Sequence, residues 1–222
     1  MATRTYGQYC GVARALELVG ERWALLIIRD LLVGPKRYTD LRSGLPRIPT
    51  NVLATRLKEL EQAGLVVRRV LPRPSGAVVY ELTPYGAELE ELVLGLGRWG
   101  ARSLGELRSG EIATAESLIM ALRSTFRPEL ASGPAVGYEL RFGDVVIHAR
   151  IEDGSLETAA GPLPDADLVI EALAPLTPLL AGEISASDAL AEGTVRTTGT
   201  TPDLARFATL FPITPRPIPD PH

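Results

Sequence analysis

The side chains best suited to chemistry in this sequence lie on one side of a predicted helix at residues 49–63. At about 100° per residue, Asn51, Thr55 and Lys58 fall together, and a stripe of leucines falls on the opposite side. An asparagine amide can bond the edge of an adenine, and a lysine ammonium can neutralise a phosphate. This face therefore predicts recognition of DNA bases and backbone.

Residues capable of catalysis or metal binding are sparse. The chain has two histidines, His148 and His222, and one cysteine, Cys10, which excludes a histidine–cysteine metal cluster within a protomer. No glycine-flanked nucleophilic serine or glycine-rich phosphate loop occurs, and the pair Asp165 and Asp167 indicates a turn before an apolar strand. We predict no catalytic residues, no metal, no cofactor and no enzyme activity.

The elements around the predicted helix are those of a winged helix-turn-helix. A short helix at Tyr38–Leu45, with Thr39 as its expected cap, precedes it across a tight proline-containing turn. Two β-branched runs, Leu65–Leu71 and Ala77–Thr83, follow and are separated by turn-forming residues. Two more helices are predicted upstream, at Gln8–Val19 and Glu21–Val33.

Charge is distributed unevenly along the chain. Residues 1–105 hold fifteen Lys and Arg against ten Asp and Glu, whereas residues 106–222 hold eight against seventeen. Residues 34–73 alone carry nine basic and three acidic side chains. A basic region on a winged helix indicates a phosphate-binding surface, although scattered charges more often mark a solvated face. The predicted DNA-binding residues are Lys36, Arg37, Arg47, Thr50, Asn51, Thr55, Lys58 and Arg73.

The first hundred residues resemble the HxlR-type winged-helix transcriptional regulators. The resemblance is carried, in chain order, by Tyr9–Leu16, Gly20–Leu31, Tyr38–Leu45, Asn51–Leu57, Leu60–Leu65 and Tyr80–Thr83. It implies a DNA-binding repressor that acts as a homodimer on a two-fold operator.

Cys10 occupies the N-terminal cysteine position of that family motif, which some members use for redox or electrophile sensing. Arg14, one helical turn further on, could lower the pKa of its thiol, but Tyr9, Val12 and Ala13 beside it favour packing. Free cysteine is among the most buried residue types, so a buried structural cysteine is the preferred interpretation and a sensor the alternative.

A helix is predicted from Tyr85 to Leu107 because Thr83 and Pro84 form a start signal. Apolar residues recur along it at spacings of three and four, close to a heptad seam. We predict that this seam is the dimer interface, although packing on the same chain's first helix is an alternative. The interface residues are Leu89, Leu92, Leu96 and Trp99.

The second half of the chain predicts an α+β domain in which helices cover an antiparallel sheet. The strands are predicted at Ala135–Phe142, Val145–Glu152, Ser155–Ala160, Asp167–Glu171 and Thr194–Thr198. The helices are predicted at Thr114–Glu129, Pro175–Ala181, Ala186–Ala191 and Leu204–Phe211.

Short motifs in this half are similar to those of sterol-carrier-protein-2-like (SCP2-like) domains. They are Ala166–Glu171, Leu179–Gly182, Ala189–Arg196 and Leu204–Phe211. The resemblance implies an apolar ligand tunnel between sheet and helices, and the alternative is a closed domain that only dimerises or stabilises. The predicted pocket residues are Phe142, Val146, His148, Leu168, Ile170, Leu176, Leu180, Phe207 and Phe211.

The sequence therefore predicts a cytoplasmic regulator with two domains and no membrane segment. DNA binding and dimerisation are assigned to residues 1–107, a linker to 108–113, ligand binding to 114–215, and a proline-rich tail to 216–222. Two alternatives remain: an apolar-ligand carrier that uses the winged helix only for assembly, and a thiol-based sensor acting through Cys10.

Overall fold

The computed structural model describes residues 5–104 and 107–214. Contacts between residues divide the chain into two compact units, Met1–Val93 and Leu94–His222. The boundary lies within a helix that the sequence assigned entirely to the first domain. The predicted tail at 216–222, which includes His222, lies outside the described residues.

The first unit has the predicted winged helix-turn-helix order. Its helices are α1 (Gly11–Val19), α2 (Ala24–Val33), α3 (Tyr38–Gly44), α4 (Thr50–Gln62) and α5 (Pro84–Ala87). Its strands, β1 (Val66–Val70) and β2 (Val78–Leu82), form an antiparallel hairpin. The main chain of Lys36 pairs with Tyr80 in both directions, at 2.9 and 2.8 Å, and ties the α2–α3 connection to the wing.

The apolar faces of α2, α3 and α4 meet in one core. Ile27, Ile28 and Leu41 are fully buried there, together with the leucines of α4. Burying one such side chain stabilises the fold by about 1.5–3 kcal/mol, so this cluster holds α4 at a fixed orientation.

The predicted helix from Tyr85 to Leu107 is wrong, because the segment forms two helices, α5 and then α6 (Glu90–Ala101). Thr83 caps α5 as expected, accepting a hydrogen bond from the Gly86 backbone N–H at 3.0 Å. A Cβ atom on Gly86 would lie 2.0 Å from the carbonyl oxygen of Leu65, so only glycine permits this close packing. Gly86 therefore lets α5 pack closely against the residue that precedes β1.

The second unit is a sheet with helices. Its strands are β3 (Val136–Phe142), β4 (Val145–Glu152), β5 (Ser155–Ala160), β6 (Leu168–Ala172) and β7 (Val195–Thr197). Its helices, after the end of α6, are α7 (Ala115–Thr125), the 3₁₀ turn Pro128–Leu130, α8 (Thr177–Leu180), α9 (Ala186–Ala191) and α10 (Thr201–Leu210).

The five strands form one mixed sheet in the order β5-β4-β3-β6-β7, so the prediction of an antiparallel sheet is wrong. Strands β3 and β6 are parallel, whereas the other neighbours are antiparallel. After β5 the chain recrosses the sheet through residues 161–167 before β6 begins. A parallel pair requires such a crossover, which strand-like sequence patterns do not reveal.

Candidate nucleic-acid interface

Helix α4 presents the side chains that the sequence predicts for DNA recognition. Asn51, Thr55 and Lys58 are exposed on it. The predicted apolar stripe is buried in the core beneath, at Leu53, Leu57 and Leu60. The side chains able to bond a base or a phosphate therefore extend from a helix that is anchored by its opposite face.

Two hydrogen bonds fix the first turn of α4. The Tyr38 hydroxyl of α3 donates to the Thr50 carbonyl at 2.8 Å and joins the two helices of the helix-turn-helix. The Thr55 hydroxyl donates to the Asn51 carbonyl at 2.8 Å, one turn back in the same helix. Because its proton is used there, the Thr55 hydroxyl oxygen is left as an acceptor for an outside donor.

The segment before α3 carries Lys36 and Arg37. Arg37, not the predicted Thr39, caps α3, and its backbone N–H donates to the Asp40 carboxylate at 2.9 Å. An acidic side chain three residues into a helix can accept this bond, which a search for Ser or Thr caps overlooks. The Arg37 side chain is exposed and that of Lys36 is half-buried.

All eight predicted DNA-binding residues belong to the first unit. Thr50, Asn51, Thr55 and Lys58 share α4. The exposed Arg47 lies in the turn between α3 and α4, and the exposed Arg73 lies in the wing between β1 and β2. These three sites are the parts of a winged helix that can contact a groove and its flanking backbone.

Ion pairs neutralise part of the basic region. Arg56 pairs with Glu59 on its own helix and with Glu21 at 3.1 Å. Arg69 and Glu81 pair across the wing at 2.6 Å. These two arginines stabilise the fold of the first unit, whereas Lys58 extends from α4 into solvent.

Cys10 is exposed, so the expectation of a buried structural cysteine is wrong. It is the cap residue immediately before α1, where the packing expected from its neighbours does not form. The backbone N–H groups of Ala13 and Val12 at the helix start hold the pKa of its thiol below the ordinary value. Arg14, the expected cause, instead pairs with Glu17 at 2.7 Å.

The predicted dimer residues leave apolar surface exposed along α6. Leu92, Leu96 and Trp99 are 47%, 45% and 69% exposed. Leu89 is half-buried against the core of the first unit, just before α6 begins. Gly97 of α6 packs near Ser124 of α7, since a Cβ on Gly97 would lie 3.5 Å from the Ser124 Cβ.

The structure divides the predicted ligand pocket between the two faces of the sheet. Phe142, Leu168 and Ile170 lie on the same face, because β3 and β6 pair in register. Val146 and His148 lie on the other face, opposite Arg141 and Glu139. The predicted lining residues that are buried are Leu168, Ile170, Leu176, Phe207 and Phe211. Phe142, Val146, His148 and Leu180 are half-buried.

An aromatic cluster lies between α10 and the sheet face that carries Tyr138, Leu168 and Ile170. The Phe207 ring lies 5.2 Å from that of Tyr138 and 4.9 Å from that of Phe211, between centroids. Phe126 adds a fourth ring, 5.7 Å from Phe211. The Tyr138 hydroxyl is buried without a hydrogen-bond partner among the described residues, and burial raises its pKa. Phe207 and Phe211 are therefore core residues as the chain stands.

A buried carboxylate on the opposite sheet face was not anticipated from the sequence. Glu139 is only 3% exposed, and it accepts hydrogen bonds from the Leu163 backbone N–H at 2.8 Å and from Arg141 at 2.6 Å. Burial raises its pKa, but these bonds outweigh burial and hold the pKa below the ordinary value. His148, opposite Glu139, bonds the Gly161 carbonyl through Nδ1 at 3.0 Å. Its contacts are those of a sheet histidine.

Within residues 5–104 and 107–214, no cluster of three or more His, Cys, Asp or Glu side chains could hold a metal ion. Over the same ranges, no helix has the length and hydropathy needed to cross a membrane.

Comparison with known proteins connects this interface to a family of regulators. The sequence model described as HxlR-like helix-turn-helix matches residues 18–108. The HTH-type transcriptional regulator YodB of Bacillus subtilis is 42% identical over 85 residues, which cover 38% of this chain and 76% of YodB. The uncharacterised HTH-type regulator YvaP of Bacillus subtilis is 35% identical over 86 residues, which cover 39% of this chain and 80% of YvaP.

A structural likeness was also found to the reduced form of YodB from B. subtilis. The sequences are 38% identical, the match covers 43% of this chain and 95% of that chain, and the TM-score is 0.39. The family model ends at residue 108, before α7.

Proposed function

Given that this chain belongs to the HxlR-like helix-turn-helix family, whose members are DNA-binding transcriptional regulators and not enzymes, we propose that it is a homodimeric repressor. It binds a two-fold operator in the cytoplasm, and an apolar small molecule in its second domain modulates that binding. We assign DNA binding and dimerisation to residues 1–107 and ligand binding to 114–215, with 108–113 as linker.

The observation that carries the DNA-binding model is the exposed polar face of α4. Asn51 can bond an adenine edge in the major groove, and Thr55 can accept a hydrogen bond from a base or another donor. Lys58 can neutralise a phosphate, and Arg73 in the wing can contact the adjacent backbone or minor groove. Two copies of α4 in a dimer then read half-sites about 34 Å apart.

The exposed apolar side chains of α6 support the dimer. Leu92, Leu96 and Trp99 follow the helical repeat, and exposed apolar patches commonly mark interaction sites. On the first helix, Val12 and Leu16 are also exposed and apolar. A dimer with two-fold symmetry matches an operator with two-fold symmetry, because each copy of the chain then contacts an identical half-site.

The test of this model is the affinity for the DNA upstream of the protein's own gene, measured by fluorescence anisotropy. Each base contact contributes about 1–3 kcal/mol, so replacing Asn51, Thr55 and Lys58 together by alanine should weaken binding at least a hundredfold. A matched control replaces Thr209 and Arg196 by alanine. Thr209 bonds one turn back, as Thr55 does, and Arg196 is an exposed cation outside α4.

The control should bind within twofold of the native chain. Equal affinity of the native chain and the triple variant would refute docking through α4. If the native chain binds no DNA but does bind apolar compounds, the carrier alternative replaces the regulator model.

Ligand control requires only a modest energy difference. A compound that favours one dimer arrangement by about 1.4 kcal/mol changes operator affinity tenfold. Because the aromatic cluster fills the predicted pocket, an apolar ligand has to displace part of it, near the unpartnered Tyr138 hydroxyl. A panel of fatty acids, sterols and aromatic metabolites, scored by thermal shift and by release of operator DNA from the full chain, tests this role. If no compound does both, the second domain is architectural.

A second candidate function, thiol sensing, is favoured by the position of Cys10. The thiol is exposed at the start of α1, and the nearby backbone N–H groups lower its pKa, which increases the thiolate fraction at neutral pH. The chain has one cysteine, so a disulfide has to cross the dimer or include a small thiol. Diamide should change operator affinity in the native chain and leave Cys10→Ser unaffected. An equal response in both proteins would eliminate the sensor.

A further inference from the structure

The second unit contains a cavity of about 440 Å³ that the predicted pocket residues do not line. One side is formed by Gly95, Arg98, Trp99 and Arg102, at the end of α6 and just beyond it. The opposite side is formed by Arg127, after α7, and by residues that follow α10, including Ile213. Its volume is within the range of about 300–1,000 Å³ that is typical of small-molecule sites.

The charged side chains that line this cavity are all cationic. Arg98, Arg102 and Arg127 contribute three guanidinium groups, and none of the described lining residues is acidic. Arg98 reaches the Ser124 carbonyl only at 3.4 Å, and the Arg102 Nε is buried without a hydrogen-bond partner. A buried N–H donor without a partner is costly, and three cations in one cavity repel one another. An anion in the cavity would reduce the repulsion among these cations.

Part of the remaining lining is apolar and suits a ring. Trp99 offers an indole, and Pro212 and Ile213 offer aliphatic surface. Aromatic rings pack on an indole in offset or edge-to-face geometry, while a guanidinium binds a carboxylate through two parallel hydrogen bonds. Within the described residues no ion pair joins a carboxylate to Arg102 or Arg127, and Arg98 bonds a carbonyl and not a carboxylate.

We propose that this cavity binds an aromatic carboxylate, with the carboxylate held by Arg102 and Arg127 and the ring packed against Trp99. The regulatory consequence rests on the proposed function, because Trp99 also belongs to the predicted dimer seam. A ligand packed on Trp99 changes the surface that α6 offers to a second copy. This site differs from the predicted pocket, whose space is filled by the aromatic cluster.

The binding test uses the full chain and isothermal titration with 2-naphthoate. The neutral isostere 2-naphthamide keeps the ring and removes the charge. The acid should bind at least tenfold more tightly than the amide, because the arginines recognise the carboxylate. Absence of binding by 1 mM 2-naphthoate, or equal binding of acid and amide, would overturn the proposal.

Substitutions of arginine separate a local site from general electrostatic attraction. Arg102→Gln and Arg127→Gln should each weaken 2-naphthoate binding at least tenfold. Arg196→Gln removes one exposed charge from the same unit outside the cavity and should change binding less than twofold. An equal loss in all three variants would mean that the anion is attracted by net charge, with no site in the cavity.

A glycine pair on α6 gives a test that does not weaken the fold. A Cβ on Gly95 would approach no atom more closely than the Arg98 Nη2 at 3.9 Å, so Gly95→Leu should place its side chain in the cavity. Gly100→Leu is the matched control, since a Cβ on Gly100 meets nothing within 4 Å and Gly100 does not line the cavity. Both changes improve helix propensity, so thermal melts should show intact folds. Only Gly95→Leu should abolish binding, and retained binding in this variant would contradict the location.

The experiments distinguish an incorrect carboxylate site from an incorrect model of DNA binding. Operator affinity without ligand tests DNA binding alone, and titration without DNA tests the cavity alone. If a neutral apolar compound releases the operator while 2-naphthoate does not bind, the proposed function stands and the carboxylate site is refuted. If 2-naphthoate binds with the expected variant pattern and no DNA binds, the cavity stands and the regulator model is refuted.

Discussion

Helix α4 exposes polar side chains to solvent, whereas strand β3 buries a polar side chain. On α4, Asn51, Thr55 and Lys58 are exposed above a buried stripe of leucines. On β3, Glu139 is enclosed and bonded by Leu163 and Arg141, on the face opposite the aromatic cluster. A helix with one solvated face can be interpreted from its own periodicity. A strand that other segments cover on both faces cannot be interpreted in this way, because those segments are distant in sequence.

The largest effect is expected in the aromatic cluster. Phe207→Ala removes a fully buried ring that contacts Tyr138 and Phe211, and should lower the free energy of unfolding by about 3–5 kcal/mol. The matched change Tyr138→Phe removes only the unpartnered hydroxyl and should be neutral or stabilising by about 1 kcal/mol. Urea unfolding followed by circular dichroism measures both. A loss of less than about 1 kcal/mol in Phe207→Ala would indicate a loose pocket, as the SCP2-like resemblance implied.

A smaller effect is expected from the buried carboxylate of β3. Glu139→Gln should lower the free energy of unfolding by about 1.5–3 kcal/mol at pH 7, since it weakens hydrogen bonds to a charged group. The pKa of Glu139 is lower in the folded chain, so the carboxylate stabilises the fold above the unfolded pKa of about 4.3. That stabilisation is lost as pH falls through the folded pKa.

The destabilisation caused by Glu139→Gln, relative to the native chain, should therefore depend on pH. The difference in unfolding free energy between native chain and Glu139→Gln should be largest at neutral pH and should decrease below about pH 4. Glu157→Gln, an exposed change on β5, should show no such dependence. A difference that stayed constant with pH would mean that Glu139 acts through shape and not through charge.

The smallest expected effect separates an exposed cation of α4 from a paired cation of the wing. Lys58→Ala should reduce the slope of log affinity against log salt by about 0.9 if Lys58 neutralises one phosphate. Arg69→Ala should leave the slope nearly unchanged, because Arg69 pairs with Glu81 at 2.6 Å. Anisotropy titrations of operator DNA at several salt concentrations measure both slopes. Equal slopes for the two variants would show that an exposed cation on α4 is no more involved in phosphate binding than a paired cation of the wing.

Local pattern determined the elements that carry the site. The leucine spacing of α4 predicted the buried stripe, because a helix repeats every 3.6 residues whatever it packs against. The strands predicted at Ala135–Phe142 and Val145–Glu152 also formed, as β3 and β4, which are adjacent in the chain and pair with each other. The basic residues of the first half were visible in the sequence as well.

Tertiary structure decided what depended on distant partners. The parallel pairing of β3 with β6 placed His148 and Ile170 on opposite faces, so the predicted pocket divided. The long predicted helix divided into α5 and α6, and Gly86 of α5 packs closely against Leu65. Cys10 is exposed, although the residues beside it in the sequence favoured packing. Periodicity specifies which side of an element is apolar, but only the folded chain specifies which segment covers that side and which charges meet across it.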